Sequence, residues 1–406
     1  MAPLSPELRL ITACAMWPPS ERRTDAIRAA AARQLDWSRV LRAATRHQVV
    51  GLTHDGLTRA ALDVPLEISA AMGAQAALMA RENLAIAHEA LRLQRLFDDA
   101  DLPVLFIKGA TLAILAFGNL GLRSAQDIDM LVTTETLPEA TALILDAGYR
   151  RFDPPPNISD AQLQLLMPLR KDLGFVHQTT GLRVELHWRL FLNRHAMPNA
   201  SIMASSRLVP LAGAAGLRTL GEEDLFAYLC MHGALHWWNR LKWLADVNAL
   251  LASTPQDGVE RLIRAARARG VGRAAAQALL LSKRLLGTPL PIELLDRSAT
   301  LDWLEATALS AMAVGQGEHD PHEVRFGTTR GSLSTALLSR SWHYRLAELG
   351  LQLTNPTDIL ALPLPRPLWF LYPVLRLPFW VWRHSIQRYS TAKGVNQAAD
   401  SLRTSN

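Results

Sequence analysis

The chain has 406 residues, a formal net charge of +6, 49% apolar and 20% charged residues, and 23 each of Gly and Pro. That length can bury a sizeable core, and the composition excludes a disordered, collagen-like or low-complexity chain. Two cysteines, Cys14 and Cys230, exclude a disulfide framework and a cysteine-built zinc site, and they fit a reducing compartment.

The positive balance suggests an anionic partner: a nucleotide, a nucleic acid or a phospholipid surface. The 43 basic residues are scattered, so charge alone selects none of the three. No apolar stretch reaches the ~18–20 residues that span a bilayer. At the N-terminus, Ile11–Trp17 imitates a leader core around Ala13-Cys14-Ala15. It is short, and Glu7 stands where a leader carries cations, so it reads as the first helix of a cytosolic protein.

From Ser5 to about Ala100 the pattern is helical. Arg33–Trp37 opens an amphipathic stretch through His47, closed by Val49, Val50 and Leu52, and Leu66–Phe97 is a long helix. Val104–Ile107 is a short apolar run, as a buried strand requires, and Lys108-Gly109 breaks it before a helix over Ala110–Phe117. Asp127–Val132 is a second strand. Pro138–Ala147 is a helix closed by Gly148, and Leu173–Gln178 with Arg183–Trp188 form a hairpin turned at Thr179-Thr180-Gly181. From Glu222 to about Leu353 the chain is helical again, and no fixed-period repeat appears.

The chemistry concentrates on Asp127-Ile128-Asp129. Residues two apart on a strand share a face, so both carboxylates project together and repel unless a cation neutralises them. Oxygen ligands of this kind suit Mg²⁺ or Mn²⁺. Upstream, Gly109 permits close backbone approach, and the N–H groups opening the next helix can hold phosphate oxygens. Downstream, Glu185 and His187 share one strand face, and Glu185 offers a third carboxylate.

In this order of elements the sequence resembles the nucleotidyltransferase superfamily typified by DNA polymerase β. It is most similar to an uncharacterised bacterial nucleotidyltransferase family. The residues that carry the resemblance are Leu105–Gly109, Leu122-Arg123, Asp127–Val132, Val184–Trp188, His232–Trp237, Arg240–Trp243 and Asp246. It covers about Leu35 to Leu251.

The resemblance implies an α+β fold, a small mixed-sheet nucleotidyltransferase core flanked by helical segments. The corresponding organisation is a helical segment over residues 1–98, a core over 99–200, a helical domain over 201–353 and a tail over 354–406. It also implies transfer of a nucleoside monophosphate from an NTP to an acceptor (a small molecule, peptide or protein), with release of pyrophosphate. Asp127, Asp129 and Glu185 would hold two Mg²⁺ (or Mn²⁺) ions, and Lys108, Gly109 and Arg123 would bind the nucleotide. One position departs from the superfamily, which usually carries Gly-Gly or Gly-Ser at the turn where this chain has Gly109-Ala110. That removes a hydroxyl able to touch phosphate and leaves backbone amides and Lys108.

His187, His232, His236, Arg240, Lys242 and Asp246 are candidate cleft contacts. His232 and His236 share a helix face, with hydrogen-bonded core histidines as the plain alternative and a zinc pair behind both. Trp237, Trp238 and Trp243 suit a core, or stacking on a base. The tail from Leu362 to Lys393 interleaves seven aromatics (Trp369, Phe370, Tyr372, Phe379, Trp380, Trp382, Tyr389) with Arg366, Arg376, Arg383, Arg388 and Lys393. No acid lies between Asp358 and Asp400. Such a segment suits an anionic membrane surface, or rings packed on the helical domain. The expected location is therefore cytoplasmic with peripheral membrane contact, and nucleic acid stays open as a partner. The competing readings are a non-catalytic nucleotide-binding or regulatory protein and a peripheral membrane interaction protein.

Overall fold

The computed structural model describes residues 4–197, 202–212, 215–289, 295, 297–320, 327–372 and 374–375. The chain divides into two units, Met1–Pro156 with Lys171–Arg345 and Asn157–Arg170 with Leu346–Asn406. The fold is mixed α+β.

The first unit opens with five helices: α1 (Pro6–Cys14), α2 (Glu21–Ala31), α3 (Trp37–Arg46), α4 (Val50–Arg59) and α5 (Leu66–Asp99). Ser5, Ser20 and Asp36 cap α1, α2 and α3, each side chain accepting a backbone N–H of the first turn. The stretch expected to close through Leu52 instead breaks at Gln48, whose φ is 57°, and α4 starts afresh at Val50. The break buries His47, whose Nδ1 accepts the N–H of Leu241 at 3.0 Å. A tertiary partner decides this turn, so periodicity alone did not mark it.

The sheet has five strands: β1 (Leu105–Phe106), β2 (Ile128–Leu131), β3 (Tyr149–Asp153), β4 (Asp172–His177) and β5 (Arg183–His187). Their order is β1-β2-β5-β4-β3, with β2 and β5 parallel and every other pair antiparallel. The predicted β4–β5 hairpin is present. Between these strands run α6 (Ala110–Phe117) and α7 (Leu137–Asp146). A second sheet, the hairpin β6 (Arg207–Ala212) and β7 (Ala215–Thr219), meets β1 through the Thr219 hydroxyl, which donates to Phe106 O at 2.6 Å. Neither that hairpin nor β3 was expected.

The helices α9 (Glu222–Leu235), α10 (Leu241–Ala252), α11 (Gln256–Ala268), α12 (Gly272–Leu286), α13 (Ala299–Met312), α14 (Gly327–Leu337) and α15 (Trp342–Leu353) lie within the range read as helical. In the second unit, α8 (Asp160–Leu166) packs against α16 (Pro356–Ala361). Ser159 and Gln162 form a capping box at the start of α8. Tyr372 is buried there, donating to Leu362 O at 2.8 Å, whereas Phe370 is exposed. The expectations for Phe379, Trp380, Trp382, Tyr389, Arg376, Arg383, Arg388, Lys393 and the Arg366 side chain lie outside the described residues. Among the described residues, no helix is long and apolar enough to cross a membrane.

α9 ends in a tight reversal in which Trp237 and Trp238 both take positive φ, 55° and 52°. The Trp238 N–H returns to Gly233 O at 2.8 Å, and its indole donates to Gln277 Oε1 at 3.0 Å. The ring therefore lies across Gly233, where a Cβ would come within 2.3 Å of it. Gly233→Ala gains ~1 kcal/mol of helix propensity but overpacks a fully buried ring at a cost of ~1–3 kcal/mol or more. We expect a lower melting temperature for Gly233→Ala; an unchanged or higher one would contradict this packing.

Candidate active site

Strand register assembles the site. In the parallel β2–β5 pair Asp129 stands beside Glu185, and in the antiparallel β4–β5 pair Asp172 stands opposite His187. Glu185 and His187 are two apart on β5, so all four side chains share one sheet face. His187 Nε2 lies 3.2 Å from Asp129 Oδ1 and 3.4 Å from Glu185 Oε2. Its Nδ1 faces Asp172 Oδ2 at 3.6 Å and Lys171 Nζ at 3.4 Å. Ligand atoms of Asp129, Glu185 and His187 all lie within 4.8 Å of one another.

Lys108 reaches into this group from the turn after β1. Its Nζ is 3.0 Å from Asp129 Oδ2 and 3.9 Å from Asp127 Oδ1. The next residue, Gly109, has φ 71° and ψ −125°, a conformation open essentially to glycine, and from it α6 begins. Asp129 Oδ2 is buried, and the Lys108 ammonium is the cation that faces it. A buried carboxylate oxygen of that kind, beside a second carboxylate and an imidazole, fits a divalent cation.

The electrostatics follow from burial and neighbours. Burial and the Asp129 charge push Asp127 up to about 6. Burial also opposes the charge on Asp129, but the Lys108 ammonium and His187 outweigh it and hold its pKa far below the usual carboxylate range. Burial likewise disfavours a charged Lys108, yet Asp129 and the surrounding anions keep its pKa above the ordinary lysine value. For His187, burial and Lys171 work against protonation, while hydrogen bonding with Asp129 and Glu185 outweighs them and raises its pKa.

The facing wall comes from α9 and α10. Tyr228 stacks on His232 at 5.5 Å, and His236 stacks on Trp243 at 4.9 Å with a 28° interplanar angle. Burial and His236 push the pKa of His232 well down, so it stands as a neutral ring. Burial, with help from Arg123, lowers Lys242 to about 7, and its Nζ donates to Ser124 O at 3.4 Å. Between the wall and the sheet lies a cavity of about 600 Å³.

Lys108, Gly109, Arg123, Asp127, Asp129, Glu185, His187, His232, His236, Arg240 and Lys242 all line this cavity. Asp246 does not: it lies behind Arg123, whose Nε donates to its Oδ1 at 2.9 Å. Trp237 and Trp238 are buried, whereas Trp243 faces the cleft. Sequence reasoning missed Lys171, Asp172, Tyr228 and Asp320. Tyr228 had a signal, since it sits one helical turn before His232. Asp172 had none before the register of β4 was known.

Asn83 on α5 also escaped notice. Its Nδ2 donates to Leu120 O at 2.6 Å and Arg123 O at 2.8 Å, and its Oδ1 accepts the Ala125 N–H at 3.0 Å. This amide holds the loop that enters β2. The Arg123–Asp246 pair, 5% and 0% exposed, ties the same loop to α10. Asp246→Leu strands a buried guanidinium, a loss of ~3–5 kcal/mol. A clear fall in melting temperature is expected, and an unchanged one would show that the pair does not hold the loop.

A family model described as an uncharacterised nucleotidyltransferase matches residues 33–287, more than half of the chain. That span contains the carboxylate group, Lys108 and the aromatic wall. No curated protein matches the sequence. With the family match over most of its length, the chain belongs to the uncharacterised nucleotidyltransferase family.

Proposed function

We propose that the protein transfers a nucleoside monophosphate from an NTP to an acceptor hydroxyl or similar nucleophile, releasing pyrophosphate. The observation that carries this reading is the parallel register setting Asp129 beside Glu185, with Asp127 and Lys108 at the same end. Asp129, Glu185 and His187 would hold a divalent cation, with Asp127 beside them. When bound, that cation would neutralise phosphate charge and lower the pKa of the attacking group. Carboxylate oxygens suit Mg²⁺ or Mn²⁺, and the imidazole shifts the preference towards Mn²⁺.

The chain's own residues supply the rest. Lys108 gives the triphosphate a fixed positive charge, and the first amides of α6 offer N–H donors at the Gly109 turn. Asp172 behind Nδ1 orients the His187 ring, the usual arrangement for a metal-bound imidazole. His236 and Trp243 present stacked rings suited to the base. The work of the site is positioning and charge neutralisation, which suffices for in-line displacement at phosphorus.

The direct test is a screen of the four NTPs, labelled at the α-phosphate, with Mg²⁺ or Mn²⁺ and with cell extract as the source of acceptor. Label should enter an acceptor only with a cation present, and EDTA should abolish it. Asp127→Asn and Asp129→Asn keep the shape but remove charge, so transfer should fall by orders of magnitude while the fold survives. His187→Gln should cost more with Mn²⁺ than with Mg²⁺, because it removes the nitrogen donor. Wild-type transfer in either aspartate variant would refute the mechanism.

A further inference from the structure

A second cavity, of about 760 Å³, lies where the turn after α1 meets α10, the start of α11 and the end of α12. Its volume is within the range of small-molecule sites and far beyond that of a single water. It is separate from the cleft, although α10 serves both: Lys242 and Trp243 line the cleft, whereas Asn248 and Leu251 line this cavity.

Three features describe what it would take. Asn248 is 2% exposed, and its Oδ1 accepts the Thr288 hydroxyl, but its buried Nδ2 has no acceptor. A buried donor left unsatisfied in this way is costly, and a ligand acceptor would relieve it. Arg22 and Lys283 are exposed cations on the lining, and among the described residues neither forms an ion pair and no acid lines the cavity. The guanidinium of Arg22 lies over Gly287, where a Cβ would come within 2.3 Å of Nη2. Finally, Trp17 contributes a half-buried aromatic ring.

We propose that this cavity binds an aromatic monophosphate of nucleoside monophosphate size, without metal. The phosphate pairs with Arg22 and Lys283, the ring packs on Trp17, and Asn248 Nδ2 donates to a ring nitrogen or carbonyl oxygen. In the catalytic cleft, by contrast, the clustered carboxylates oppose a phosphate when no cation is bound.

Calorimetric titration of the full chain with AMP, and separately with UMP, in EDTA tests the assignment. At least one should bind once per chain. An Arg22→Glu, Lys283→Glu double variant changes two exposed side chains, so its melting temperature should hold while affinity falls at least tenfold. Asp129→Asn should bind as the wild type does. Failure of both nucleotides to bind, binding that survives the charge reversal, or an affinity that changes in Asp129→Asn, where a cleft site would lose a repelling charge, would each overturn the proposal. EDTA keeps the transfer reaction out of the measurement, so the outcome is independent of the transferase reading.

Discussion

Like charges held together in a poorly solvated place are the constraint on which this structure turns. Asp127, Asp129, Asp172 and Glu185 crowd one end of a small sheet, and two unit charges 4 Å apart near a protein surface repel by roughly 4 kcal/mol. Lys108 and His187 relieve Asp129, which stays ionised although buried. Asp127 receives less relief and is pushed up to about 6. A constellation that costs the resting protein this much electrostatic energy suits a site that a cation and a polyphosphate complete together.

The remainder of the first unit fixes that constellation in place. Parallel pairing of β2 with β5 sets the acids side by side. Asn83 holds the loop entering β2 by three hydrogen bonds to its backbone, and Arg123 with Asp246 anchors the loop to α10. A buried ion pair of this sort contributes little net stability over an apolar pair, but it specifies one arrangement of loop and helix. Since α10 also presents Lys242 and Trp243 to the cleft, sheet and aromatic wall share one anchor.

Much of this was legible from local pattern. Helix α6 was read at its observed bounds, and the β4–β5 hairpin and α7 were found from turn residues and Gly148. These elements carry their signals within a few residues. The hairpin β6–β7 and strand β3 were not read, because their pattern is a short, half-exposed alternation that gains meaning only by pairing. Asp127, Asp129, Lys108 and Glu185 were visible as a motif order. Asp172 and Asn83 were not, since each acts through a partner distant in sequence. Arg123 was read as a triphosphate contact, and its observed partner, Asp246, lies 123 positions away.

If Asp129, Glu185 and His187 together hold a divalent cation, Mn²⁺ paramagnetic resonance will report it. Titrating Mn²⁺ into the wild-type protein should remove the free-ion signal and give a bound spectrum with nitrogen coupling from one imidazole. That coupling should vanish in His187→Gln, and Asp129→Asn should release most of the ion. A free-ion signal that persists at millimolar protein, or a bound spectrum identical in all three proteins, would mean that these residues hold no cation.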